Sequence, residues 1–117
     1  EIRLSLVGSE MCIRDSYHTV WDDVILESCH RWSYLEYGHQ LDRCTRREIR
    51  AICRGTVRDW FRENALASRH IYEQAAPGQE FTTREVKSFL NRNHPLAEQQ
   101  LQRAGYRLAH VLNELFG

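Results

Sequence analysis

The residues best suited to chemistry are His18 and Asp22, in the string Tyr17-His18-Thr19-Val20-Trp21-Asp22. They are four apart, and on a helix that spacing stacks both side chains on one face. A neutral imidazole and a carboxylate so placed can bind one Zn²⁺, each at roughly 2.0–2.2 Å. Two ligands do not complete a zinc site, so at least one more has to come from elsewhere. Taken alone, a His–Asp pair at this spacing is more often a surface hydrogen bond. His30, His39, His70, His94 and His110 are dispersed and suggest no second metal site. Cys12, Cys29, Cys44 and Cys53 include no CxxC pair, which argues against a zinc knuckle. A Cys44–Cys53 disulfide suits an exported protein, but the sequence leaves the state of Cys29, Cys44 and Cys53 open.

Other groups offer weaker chemistry. Arg43, Arg46, Arg47, Arg50, Arg54, Arg58 and Arg62 form a basic run. Arg46 and Arg50, or Arg54 and Arg58, share a helix face and suit a phosphate backbone. The plainer expectation is a solvated face paired with Asp42, Glu48, Asp59 and Glu63. Glu63 either accepts a hydrogen bond from a loop near the site or faces solvent. Trp21 and Trp32 can stack a base, although packing in the core is the commoner use of tryptophan.

Helices must position these residues. Val20, Trp21, Val24, Ile25 and Ser28 recur at helical steps, and Trp32, Leu35, Tyr37 and Leu41 continue the pattern, with Gly38 as a break. Thr45-Arg46-Arg47-Glu48 has capping-box spacing and predicts a short helix with Ile49, Ile52 and Cys53 inward, ended by Gly55. A longer helix is expected over 57–73, burying Val57, Trp60, Phe61, Leu66 or Ala67, and Ile71. After a turn at Ala75-Ala76-Pro77-Gly78, Thr82 to Glu85 forms a second capping box before a helix with Val86, Phe89 and Leu90. Asn93-His94-Pro95 is expected to break that helix, with Pro95 in the first turn of the next. The last helix carries Leu101, Ala104, Leu108, Val111, Leu112 and Leu115 in one stripe and reads as a core helix. The reading is all-α, about five helices in 117 residues.

Residues 1–16 differ. EIRLSLVGSEMCIRDS has no helical period and resembles a translated sequencing-adapter read. It is expected to be a non-native segment, unstructured or loosely attached, with the natural sequence starting near Tyr17. An ordinary short strand over 2–7 is the alternative.

Several strings together carry a resemblance. Tyr17 to Asp22 resembles the Leu-His-x-Val-Trp-Asp motif of the nuclease S-one/P-one family. Tyr34-Leu35-Glu36-Tyr37 and Leu41-Asp42 are similar to its Tyr-x-Glu-Tyr and Leu-Asp. Trp60-Phe61-Arg62-Glu63-Asn64 is similar to its Trp-Ala-x-Glu-Ser. Ala104 to Ala109, with Leu112-Asn113, resembles its closing Ala-Gly-x-Arg-Leu-Ala and Leu-Asn. These are secreted, trinuclear-zinc, single-strand nucleases and 3′-nucleotidases with a helical fold shared with zinc-dependent phospholipase C.

The resemblance implies that residues 17–117 are the C-terminal portion of such a nuclease domain, a partial version of that all-α fold. It assigns His18 and Asp22 to one of three zincs. The family's N-terminal Trp, upstream His and Asp ligands and bridging Asp have no counterpart here, so the fragment alone is expected to be inactive. The implied substrates are single-stranded DNA or RNA, or 3′-nucleotides, and the implied location is secreted or periplasmic. Asp23-Val24 departs from the family's Ser or Thr followed by Gly and adds negative charge beside the metal. The alternatives are a zinc-dependent phospholipase C relative and a non-enzymatic helical interaction domain. Net charge is zero, with fifteen Arg and one Lys, so no global field selects a nucleic-acid or membrane partner. No membrane span and no protein partner are expected.

Overall fold

The computed structural model describes residues 3–4, 6–7, 15–16, 25–27, 32–74, 76 and 81–117. Among these the chain is all-α. A single turn, α1 (Ile25–Glu27), precedes four longer helices: α2 (Tyr34–Leu41), α3 (Arg46–Ile52), α4 (Val57–Tyr72) and α5 (Thr83–Phe116). Four two-residue strands accompany them: β1 (Arg3–Leu4), β2 (Leu6–Val7), β3 (Asp15–Ser16) and β4 (Phe81–Thr82). β1 pairs antiparallel with β3, Arg3 opposite Ser16. β2 pairs in parallel with β4, Leu6 opposite Phe81, which ties the N-terminal segment to the start of α5.

Each of the four longer helices begins on a reciprocal capping box. Ser33 with Glu36, Thr45 with Glu48, Thr56 with Asp59, and Thr82 with Glu85 each exchange side-chain and backbone hydrogen bonds. Two helical N–H groups that lack an intrahelical acceptor are thereby satisfied, and a carboxylate sits at the positive end of the helix dipole. The boxes at Thr45 and Thr82 are legible as spacing; those at Ser33 and Thr56 are findings of the structure. Gly38 does not break α2, which runs through it to Leu41. Gly55 has φ +91°, a left-handed conformation that glycine alone adopts without strain, and it turns the chain from α3 into α4.

The expected break at Asn93-His94-Pro95 is absent. α5 is one helix of 34 residues with Pro95 inside it, about 51 Å long at ~1.5 Å per residue. Proline there forfeits the hydrogen bond to the Asn91 carbonyl. Burial on either side of it holds the helix together: Phe89, Leu90, Asn93, His94 and Ala97 are all buried. Asn93 Nδ2 donates to the Phe89 carbonyl at 2.9 Å and to Gln74 Oε1 at 2.8 Å, and Gln74 Nε2 donates back to Asn93 Oδ1 at 2.8 Å. That amide pair fastens the end of α4 to α5.

The core is Ile25, Ile71, Phe89, Leu90 and Ala97, with Leu26, Val86 and Leu96 packed around it. It lies where α1, the end of α4 and the first half of α5 meet. The stripe expected from Leu101 to Leu115 is not core: Leu101 is 42% exposed, Leu108 60%, Leu112 45% and Leu115 68%. The buried side chain in that half of α5 is instead Arg107. On α4, Val57, Phe61 and Leu66 are likewise exposed, and the inward file is Trp60, Glu63, Ala67 and Ile71. An amphipathic file faces inward only where another element rests on it. Among the described residues no helix is long and apolar enough to cross a membrane.

Candidate functional site

His18 and Asp22, the two residues expected to bind zinc, lie outside the described residues, as does Trp21. The structure describes the chain on either side of them. Asp15–Ser16 is held by β1, and Ile25, three residues after Asp22, is fully buried in the core. Leu26 packs beside it.

The other family-like strings sit on α2, α4 and α5, and the structure interlocks them. Arg107 Nη1 donates to Glu63 Oε1 at 3.1 Å and Arg107 Nη2 to Glu63 Oε2 at 2.8 Å, a two-point pair between α5 and α4. Arg103 adds a contact to Glu63 at 2.9 Å. The guanidinium of Arg107 also lies 5.3 Å from the centre of the Trp60 ring, and its Nε donates to the Ile52 carbonyl at the end of α3. Trp60 Nε1 donates to the Arg54 carbonyl at 2.9 Å. One arginine thus collects three helices and the α3–α4 turn. Hydrogen bonding from Arg107, then from Arg103, holds the Glu63 carboxyl down at about 2, against the opposing effect of its partial burial. A carboxylate pinned as an anion by two guanidinium groups is a fastener, poorly suited to proton transfer at neutral pH. Glu63 was expected to meet a loop or solvent; it meets α5.

A second set joins α2 to α5. Tyr106 Oη donates to Asp42 Oδ1 at 2.7 Å and accepts from the Cys44 N–H at 3.2 Å. Burial, reinforced by the bond to Asp42, pushes the Tyr106 phenol up to about 12. Gln102 Nε2 donates to the Leu41 carbonyl, and Tyr37 Oη donates to Glu98 Oε1 at 3.0 Å. His94 Nε2 lies 3.6 Å from the same Glu98 oxygen. Between α2 and α5 an open, mostly apolar groove of about 490 Å³ runs past Tyr34, Gly38, Leu41, Gly105 and Ala109. Cys44 and Cys53 are free thiols, and the Cys53 thiol donates to the Tyr106 carbonyl at 3.6 Å.

Of the dispersed histidines, His30 lies outside the described residues. His39 and His70 are exposed, and His110 lies beside Glu114 at 3.3 Å and edge-on to Trp60. Among the described residues no group of three or more His, Cys, Asp or Glu could hold a metal ion. Trp32 is 43% exposed and packs on Tyr37 at 5.9 Å between ring centres, so it is not a core residue.

The described motif residues of α2, α4 and α5 thus fasten the scaffold. No curated protein and no solved structure matches the chain. The S1/P1 Nuclease family model matches residues 2–117, and since that is nearly the full length, the chain belongs to the S1/P1 nuclease family.

Proposed function

We propose that this chain is part of a zinc-dependent phosphodiesterase that hydrolyses single-stranded nucleic acid or 3′-nucleotides, with His18 and Asp22 as ligands to one zinc. The observation that carries the reading is the match to the nuclease family over residues 2–117, which include the His-x-x-x-Asp motif. The match is to a nuclease model, which favours nucleic-acid phosphodiesters over lipid esters and over a purely structural role. Export from the cytoplasm follows from the same resemblance.

The donor types fit zinc: a neutral imidazole nitrogen and a carboxylate oxygen are both ordinary ligands. When bound, zinc supplies Lewis-acid polarisation of a phosphoryl oxygen and a lowered pKa for the attacking water. In this chain, His18 offers a ring nitrogen and Asp22 a carboxylate at the spacing of one helical turn. Ile25 fixes the exit of that segment against the core, and the Glu63–Arg107 pair holds α4 and α5 together. Asp23 adds a negative charge beside the ligands and disfavours close approach of phosphate on that side. A catalytic zinc takes three protein ligands and a water, so two ligands require completion from residues other than this pair.

The test is zinc stoichiometry together with cleavage of single-stranded DNA, in a domain completed with residues that supply the remaining ligands. His18→Ala or Asp22→Ala should lower zinc content and cleavage together, and the 117-residue chain alone should not cleave. Full activity with either substitution would sink the assignment.

A further inference from the structure

The basic run from Arg43 to Arg62 is explained neither by the zinc ligands nor by the fastenings of the fold. These 20 residues carry seven arginines against two carboxylates, in a chain whose net charge is zero. All seven arginines are exposed. Of the acids expected to neutralise them, Glu63 pairs with Arg103 and Arg107 and Asp42 accepts from Tyr106, while Glu48 and Asp59 cap their helices through Thr45 and Thr56, Arg62 adding a weaker attraction to Asp59. Among the described residues none of the seven makes an ion pair; Arg50 donates to the Arg46 carbonyl. A purely solvated helix face usually balances its charges through pairs one turn apart, as Arg69 and Glu73 do here at 2.7 Å.

The faces are ordered. On α3, Arg46 and Arg50 stand one turn apart with Arg47 beside them, opposite the half-buried Ile49 and Ile52. On α4, Arg58 and Arg62 stand one turn apart, opposite the inward file that ends at Ile71. Phe61 lies one turn from Arg58 and is 75% exposed. The motif that Trp60 to Asn64 resembles has alanine at that place. An exposed ring among exposed guanidinium groups is the combination that binds single-stranded nucleic acid without sequence preference: cations follow the backbone and the ring stacks a base.

We infer that the exposed arginines of α3 and α4, with Phe61, form a binding surface for single-stranded nucleic acid. The choice of polyanion rests on the nuclease reading; the surface itself rests on the charges and exposure just described. Its role is to hold the strand.

The experiment is fluorescence anisotropy of a labelled oligothymidylate titrated with the full chain in excess chelator, where neither zinc binding nor cleavage contributes. Binding is expected, weakening as salt rises. Arg46→Gln, Arg50→Gln, Arg58→Gln and Arg62→Gln combined should weaken it about tenfold or more and flatten the log–log salt dependence by up to about 0.7 for each contact removed. Phe61→Ala should weaken it about tenfold while leaving the salt slope unchanged. Arg84→Gln with Arg92→Gln, at exposed positions on α5, should change nothing. Circular dichroism and thermal melts confirm that each variant is folded. Absence of binding by the unaltered chain overturns the inference, as does equal loss in the α5 variant. Binding of inorganic polyphosphate as tight as that of the oligonucleotide, with Phe61→Ala neutral, reduces the surface to a general polyanion site and overturns it as well. A failed cleavage assay with metal present bears on the hydrolase reading and leaves this result untouched.

Discussion

Arg107 and Glu63 lie 44 residues apart in sequence and meet through two parallel hydrogen bonds of 3.1 and 2.8 Å. The arginine side chain is 10% exposed and the glutamate 34%. Their pairing joins α4 to α5 at the point where two of the family-like strings come together. Bidentate geometry suits a planar guanidinium and a carboxylate, and lysine could not reproduce it.

Removing the carboxylate charge should leave Arg107 largely buried without its counter-ion. Glu63→Gln is expected to destabilise the chain by about 2 kcal/mol, at the lower end for such pairs because Glu63 is partly solvated. The acid dependence has a defined sign. The folded pKa of Glu63, about 2, is below its ordinary 4.5. Its contribution is therefore fully present above pH 4.5 and is lost as pH falls from there through about 2. Denaturant titrations of both proteins between pH 2 and 6 should show the difference between them shrinking towards the acid end. A difference independent of pH would assign the effect to packing.

Pro95 should be a stability defect that the sequence tolerates. Pro95→Ala restores an N–H that can donate to the Asn91 carbonyl, in an exposed part of α5. Helix propensity favours the change by up to about 3 kcal/mol, and the greater freedom of the unfolded chain offsets part of it, leaving a gain of about 1–2 kcal/mol. A thermal melt decides this. Loss of stability would mean that the helix needs a bend there.

Residues 1–16 are proposed to be a loosely attached segment. Their described pairings are two-residue ladders, β1 with β3 and β2 with β4. Ladders so short contribute little by themselves. A chain starting at Tyr17 should melt within a few degrees of the full chain, and a fall beyond about 5 °C would show that the Leu6–Val7 pairing supports α5.

Local rules carried the element boundaries well. Thr45 and Thr82 announce helices because a hydroxyl and a carboxylate three residues on can satisfy the same turn from both ends, whatever the rest of the chain does. The inward positions of Val86, Phe89, Leu90 and Ile71 followed from spacing for the same reason. Pro95 does not end the helix, because proline lowers only the local preference for helix, while the burial of Phe89, Leu90, Asn93 and Ala97 acts on the whole element. The proposed site rests on the pair His18 and Asp22 and on the strings around it, and the pair lies outside the described residues. Nothing local reveals which distant groups complete a ligand set.

What the sequence determined by itself is the all-α class and the family, since helical period, capping and motif spacing are properties of neighbouring residues. Only the tertiary structure decided that Glu63 belongs to Arg107 and Arg103, that Asp42 belongs to Tyr106, and that the arginines of α3 and α4 stay exposed. Charge pairing depends on distance in space and on which acid is desolvated beside which base, and a list of charges in order contains neither. The Leu101–Leu115 stripe gives the same lesson for apolar groups. Its period predicts a buried face, but burial needs a second surface to lie against it, and in this fold the buried side chain of that half of α5 is an arginine.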